Sequence, residues 1–128
     1  MSLKKKQIEV LTAQLEDERR KGLKKLGFLE SSMRAQEASS RDGLYYSQHP
    51  AEMGTEANER EKNYRIATSE SRYLYRVEEA LEKIKDGGYG DCETCEGPIP
   101  YGRLQIVPTA RVCVSCKEEQ ERLRFVGR

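Results

Sequence analysis

The chain has no tryptophan, only two phenylalanines and a single histidine, His49. So few large aromatic side chains leave little to fill a broad central core. No run of 18 apolar residues occurs, so no segment reads as a membrane span. Charge of one sign is missing too: 23 basic residues face 22 acidic ones, a formal +1. The first 37 residues hold nine basic and six acidic groups, too interspersed to form a phosphate-tracking stripe. Sequence-specific DNA binding is therefore not expected. Nor does any nucleophile–base pair or glycine-rich phosphate loop stand out, and the chain does not read as an enzyme. With 128 residues, 35% of them charged and 36% hydrophobic, a small module with an extension fits better than one compact core.

Cysteine occurs only in one stretch, as Cys92, Cys95, Cys113 and Cys116, with 17 residues between the two Cys-x-x-Cys pairs. Two thiolates three positions apart reach one metal ion from a tight turn. A second pair, returned by a loop of 15–20 residues, completes a tetrahedron around zinc. Gly97, Pro98 and Pro100 shape that loop, and Leu104, Ile106, Val107, Val112 and Val114 give a small ribbon something to bury. Three other readings use the same residues. Disulfides need an oxidising compartment, but Gln7 and Glu9 interrupt the basic N-terminus before any signal-like apolar run, so the cytoplasm is expected. A thioredoxin-like redox pair needs alternating strands and helices, which are absent. Catalytic zinc needs an open position, whereas four thiolates close the shell. The site reads as one structural zinc ion, which would take the net charge to about −1, because four thiolates around zinc carry −2 relative to thiols.

The rest is helical in pattern. From residue 4 to about 37, Ile8, Leu11, Leu15, Leu26, Leu29 and Met33 step by threes and fours, with Gly22 and Gly27 as candidate bends. Residues 38–54 gather Ser, Asp, Gly and Pro around Tyr45 and Tyr46 and read as a loop. A second helix is expected over 55–85, with Tyr64, Ala67, Leu74, Val77, Leu81 and Ile84 as its seam and Glu70 as the polar exception. Asp86-Gly87-Gly88 ends it. Each helix would be roughly 45 Å long and neither buries its stripe alone. The expected fold is mainly α: an antiparallel helical hairpin over 1–86, a four-cysteine zinc ribbon over 87–128, and a C-terminal helix from Lys117 to Val126. Leu11 and Leu15 are expected opposite Leu74, Val77 and Leu81. A monomer is expected, with a homodimer sharing the same stripes as the competing arrangement.

Gly88-Tyr89-Gly90-Asp-Cys92-Glu-Thr-Cys95, Ile99-Pro100, Arg103-Leu104, Pro108-Thr109-Ala110 and Cys113-Val-Ser-Cys116 resemble the zinc-finger signature of the bacterial DksA/TraR family. His49-Pro-Ala-Glu-Met-Gly54 and the residues after it are similar to its YteA-like branch. The resemblance implies a cytoplasmic regulator that binds RNA polymerase directly, inserting a helical hairpin into the secondary channel. Acidic residues at the hairpin's tip would then act near the catalytic magnesium. The family's tip reads Asp-x-x-Asp-x-Ala; the positions here are His49, Glu52 and Gly54, so one acid is kept in charge and one is replaced. The family's glycine after the second cysteine is displaced, with Glu96 preceding Gly97. The alternative is a zinc-ribbon and coiled-coil interaction module for another cytoplasmic partner.

Overall fold

The structure, a computed structural model, describes residues 3–40 and 50–126, and within them all side chains except those of 36–40, 50–53, 56 and 126. Four helices follow in order: α1 (Lys5–Ser40), α2 (Pro50–Asp86), α3 (Tyr101–Ile106) and α4 (Val114–Val126). Among the described residues there is no strand, only an isolated antiparallel bridge between Asp91 and Pro98. No described helix is long and apolar enough to cross a membrane.

Both long helices outrun the expected limits. The second starts at Pro50 rather than Thr55, because proline at a first helical position lacks only an N–H that would have no intrahelical partner. The loop expected over 38–54 is thus helical at both ends. His49 lies outside the described residues, as do 41–48. At its C-terminus, α2 stops where Gly87 turns to φ 87° and the Gly88 N–H donates to the Lys83 carbonyl at 3.0 Å. That bond closes a Schellman cap.

Two compact units form: Met1–Arg19 with Arg76–Arg128, and Arg20–Tyr75. The composition boundary at residue 86 is not the boundary of packing, since the first turns of α1 and the last turns of α2 group with the cysteine-bearing segment. In the first unit Leu11, Leu15, Val77, Ala80, Tyr89, Ile99 and Leu104 are buried, and Leu3 closes one side. Gly90, at φ 93°, leaves that side open; a Cβ there would lie 2.7 Å from Leu3 Cδ1. Lys4 N–H donates to Gln7 Oε1 at 2.9 Å, starting α1 with half of a capping box.

The helices pair antiparallel within each unit. Arg19 meets Glu78 at 3.6 Å in the first, and Lys25 meets Glu70 at 2.8 Å in the second. This register sets Leu15 level with Leu81 and Leu11 level with the last turn of α2, not opposite Leu74. Leu74 instead packs toward Gly22, whose added Cβ would sit 3.5 Å from Leu74 Cδ1. Gly22 is therefore a seam position in an unbroken helix, used for close approach. The α2 seam also shifts. Tyr64 is 66% exposed, while Asn63 and Ile66 turn inward on the three–four stepping. Glu70, the polar exception, is answered by Lys25.

Leu15 is fully buried and Val10 is 54% exposed. Leu15→Ala should therefore cost about 2–5 kcal/mol of unfolding free energy in denaturant titrations. Val10→Ala should change it by less than about 0.5 kcal/mol.

Candidate metal centre

The cysteine-bearing segment is built from turns. After Tyr89, the Ile99 N–H donates to Gly90 O at 2.7 Å and the Cys92 N–H donates to Gly97 O at 2.8 Å. The chain folds back between them, with the Glu96 N–H donating to Cys92 O at 3.0 Å. Glu96 takes φ 62° in this turn, while Gly97 beside it does not enter the left-handed region. The displaced glycine thus leaves a glutamate in a conformation that suits glycine. The turn still brings Cys92 and Cys95 together.

The second pair stands at the start of α4. This helix begins at Val114, three residues before the expected Lys117, and Lys117 N–H donates to Cys113 O at 2.9 Å. Cys113 is the N-cap and Cys116 the third helical residue. The positive end of the helix dipole favours thiolates in both places.

All four sulfurs lie within 4.8 Å of one another. Cys95 Sγ and Cys113 Sγ, one from each pair, are 3.8 Å apart. A tetrahedron with Zn–S bonds of about 2.3 Å has edges of about 3.8 Å, so the spacing fits the metal. Cys92 Sγ accepts backbone N–H bonds from Cys95 at 3.5 Å and Cys113 at 3.4 Å, tying the pairs together. These bonds, that of Cys95 foremost, pull the Cys92 thiol down to about 6. Hydrogen bonding to the neighbouring sulfurs, Cys113 first, pushes Cys116 up to about 12. The cluster thus favours one thiolate on Cys92 and keeps the proton on Cys116. A divalent cation supplies the charge that lets all four ionise.

Support comes from residues around the sulfurs. Tyr89, 2% exposed, donates its hydroxyl to Pro108 O at 2.7 Å, and burial pushes its pKa up to about 12. Arg103 Nε donates to Val112 O at 3.2 Å, just before Cys113. Glu93 is held below the usual carboxylate range by its hydrogen bond to the Lys83 ammonium. Of the apolar residues expected to fill the loop, only Leu104 is buried; Ile106 is 83% exposed and Val107 and Val114 are also outside. A short helix, α3, puts one of these side chains inward. Leu123 and Phe125, expected to pack, are exposed on α4. Of the candidate tip residues, Glu52 is the third residue of α2, with its side chain outside the described set, and Gly54 is exposed. Both belong to the other unit.

Cys113→Ser should abolish tight zinc retention and unfold the cysteine-bearing segment, leaving most helical circular dichroism in place. Metal analysis after gel filtration checks this. Glu96→Gly should raise the melting stability of the zinc-loaded chain by about 1 kcal/mol, by relieving the left-handed backbone.

Residues 87–122 match the family described as the prokaryotic dksA/traR C4-type zinc finger. The chain is 40% identical over 65 residues to YteA of Bacillus subtilis, covering 51% of this chain and 27% of that protein. It is 31% identical over 78 residues to the RNA polymerase-binding transcription factor DksA of Caulobacter vibrioides, covering 61% of this chain and 55% of that protein. The matches thus span between about a quarter and a half of these relatives. The solved structure of transcription factor DksA2 from Pseudomonas aeruginosa aligns with a TM-score of 0.79 at 25% identity, over 94% of this chain and 88% of that one. Signature, sulfur geometry and fold agree: over residues 87–122 this chain is similar to the C4 zinc finger of the DksA/TraR family.

Proposed function

We propose that the chain is a cytoplasmic, non-enzymatic regulator of transcription. In this reading it binds RNA polymerase directly, with its paired helices entering the secondary channel. The observation that carries this reading is the structural likeness to transcription factor DksA2, which takes in both long helices and the finger. The relative from Caulobacter vibrioides, named as an RNA polymerase-binding transcription factor, supports the same partner.

One zinc ion per chain follows from the donor set, because four sulfurs fill one tetrahedral shell. Cys92, Cys95, Cys113 and Cys116 would hold it, and when bound it supplies a structural cross-link. The chain acts as a monomer here, its helical stripes meeting each other within each unit.

The contact residues proposed for the polymerase are His49, Glu52 and Gly54. A carboxylate at position 52 would act near the catalytic magnesium, which prefers oxygen donors. An ordinary imidazole titrates near pH about 6.5 and is mostly neutral at pH 7, so position 49 does not replace a second acid. The effect on initiation is accordingly weaker than that of a tip with two aspartates.

Glu52→Ala should remove the effect on transcription in a purified assay while polymerase binding stays within about twofold. If that variant regulates as well as the wild type, the tip is not the working group. The reading as an interaction module for another partner then takes its place.

A further inference from the structure

The two cysteine pairs belong to separate turns, and their ligand geometry depends on how those turns face each other. One backbone hydrogen bond joins them apart from the sulfurs: Glu93 N–H donates to Arg111 O at 2.9 Å. Glu93 follows Cys92 directly, and Arg111 stands two positions before Cys113. Their side chains meet again, with Arg111 Nε 3.7 Å from Glu93 Oε2. Arg111 also reaches helix α2, its Nη1 lying 3.5 Å from Glu79 Oε2. Lys83, one turn further along α2, pairs with Glu93. Four charges of alternating sign thus form a chain, Glu79–Arg111–Glu93–Lys83, two from α2 and one from each cysteine-bearing turn.

Two further features centre this chain of charges on Arg111. Glu79 Oε2 is itself buried and has no hydrogen-bond partner, so the guanidinium alone answers its charge. The space beneath, lined by Glu79, Lys83, Tyr89 and Arg111 among others, measures about 10 Å³. That is room for about one water molecule.

We propose that Arg111 is a positioning residue for the metal ion: it fixes the two cysteine turns against each other and against α2, so that the four sulfurs stay in ligating register. A half-exposed ion pair contributes little by itself. The larger effect comes from restraining the backbone on either side of Cys92 and Cys113. Groups that hydrogen-bond directly to metal ligands change affinity by about 10–100-fold when removed. Arg111 touches no sulfur, so its removal should act below that range, at about three- to tenfold.

The test uses the full zinc-loaded chain and competition with a chromophoric chelator, in a salt whose anion does not bind zinc. Arg111→Met should lose zinc about three- to tenfold more readily than the wild type, and Arg111→Lys should recover part of the difference. Added salt should weaken wild-type retention toward the level of Arg111→Met and leave that variant nearly unchanged. A purely packing role would give parallel salt dependences. The proposal is overturned if Arg111→Met holds zinc as the wild type does, or if its retention falls with the same salt slope. Should Arg111→Met lose the helical signal of the folded chain, Glu93→Gln carries the test. It keeps the arginine stem, removes the charge facing it, and is judged by the same two criteria.

Discussion

Four thiolates must come within one tetrahedral shell, and the first compact unit is arranged around that demand. The segment from Tyr89 to Cys116 buries few side chains: Tyr89, Cys92, Ile99, Leu104 and Pro108. Such a segment has too little apolar area to offset the conformational entropy of ordering its turns. Zinc at sites of this kind supplies about 10–16 kcal/mol of apparent binding free energy, enough to decide whether the turns form. The metal's demand also explains local choices. The Cys92 sulfur collects backbone N–H groups from both pairs, and the second pair sits on the positive end of a helix.

What the metal holds in place is also held from outside. Leu3 and the first turns of α1 cover Gly90 and approach Leu104, while Glu79 and Lys83 of α2 bracket the turns from another side. The first compact unit is therefore composite, assembled from two separated stretches of sequence, Met1–Arg19 and Arg76–Arg128. Long-range contacts of this type cost loop entropy before they contribute anything, so they depend on the paired helices to bring Leu3 against Gly90. The helices and the metal site stabilise each other, although neither contains the other's core.

In the second unit the seam is thinner. Leu29 is its buried leucine, Gly22 allows close approach to Leu74, and a charged pair, Lys25 with Glu70, bridges the helices at the surface. A seam with small and charged members specifies register more than it adds stability, since a slip would leave Glu70 without its cation.

The metal site was legible in the sequence because its chemistry is local. Cysteine has few roles, its spacing is set by the length of a tight turn, and four sulfurs at that spacing admit one geometry. Helix existence was legible for the same reason: a three–four stepping over thirty residues has no competing interpretation, and Gly87-Gly88 marks an end by backbone conformation alone. Register, seam membership and the direction of isolated apolar residues were not. Tyr64 and Asn63 differ by one position, about 100° around a helix, and only the partner helix decides which of them faces inward. Ile106 and Val107 looked like core because they are apolar, but one helical turn over 101–106 pointed Leu104 in and Ile106 out. The burial of Leu3 against Gly90 and the chain of charges through Arg111 join residues far apart. No sequence signal distinguishes them from surface positions. The sequence by itself determined the cysteine pairs, the existence of the helices and the stop at Gly87-Gly88, through local spacing and backbone preference. Tertiary packing alone decided which charges meet, since pairing in space depends on a register that no single segment encodes.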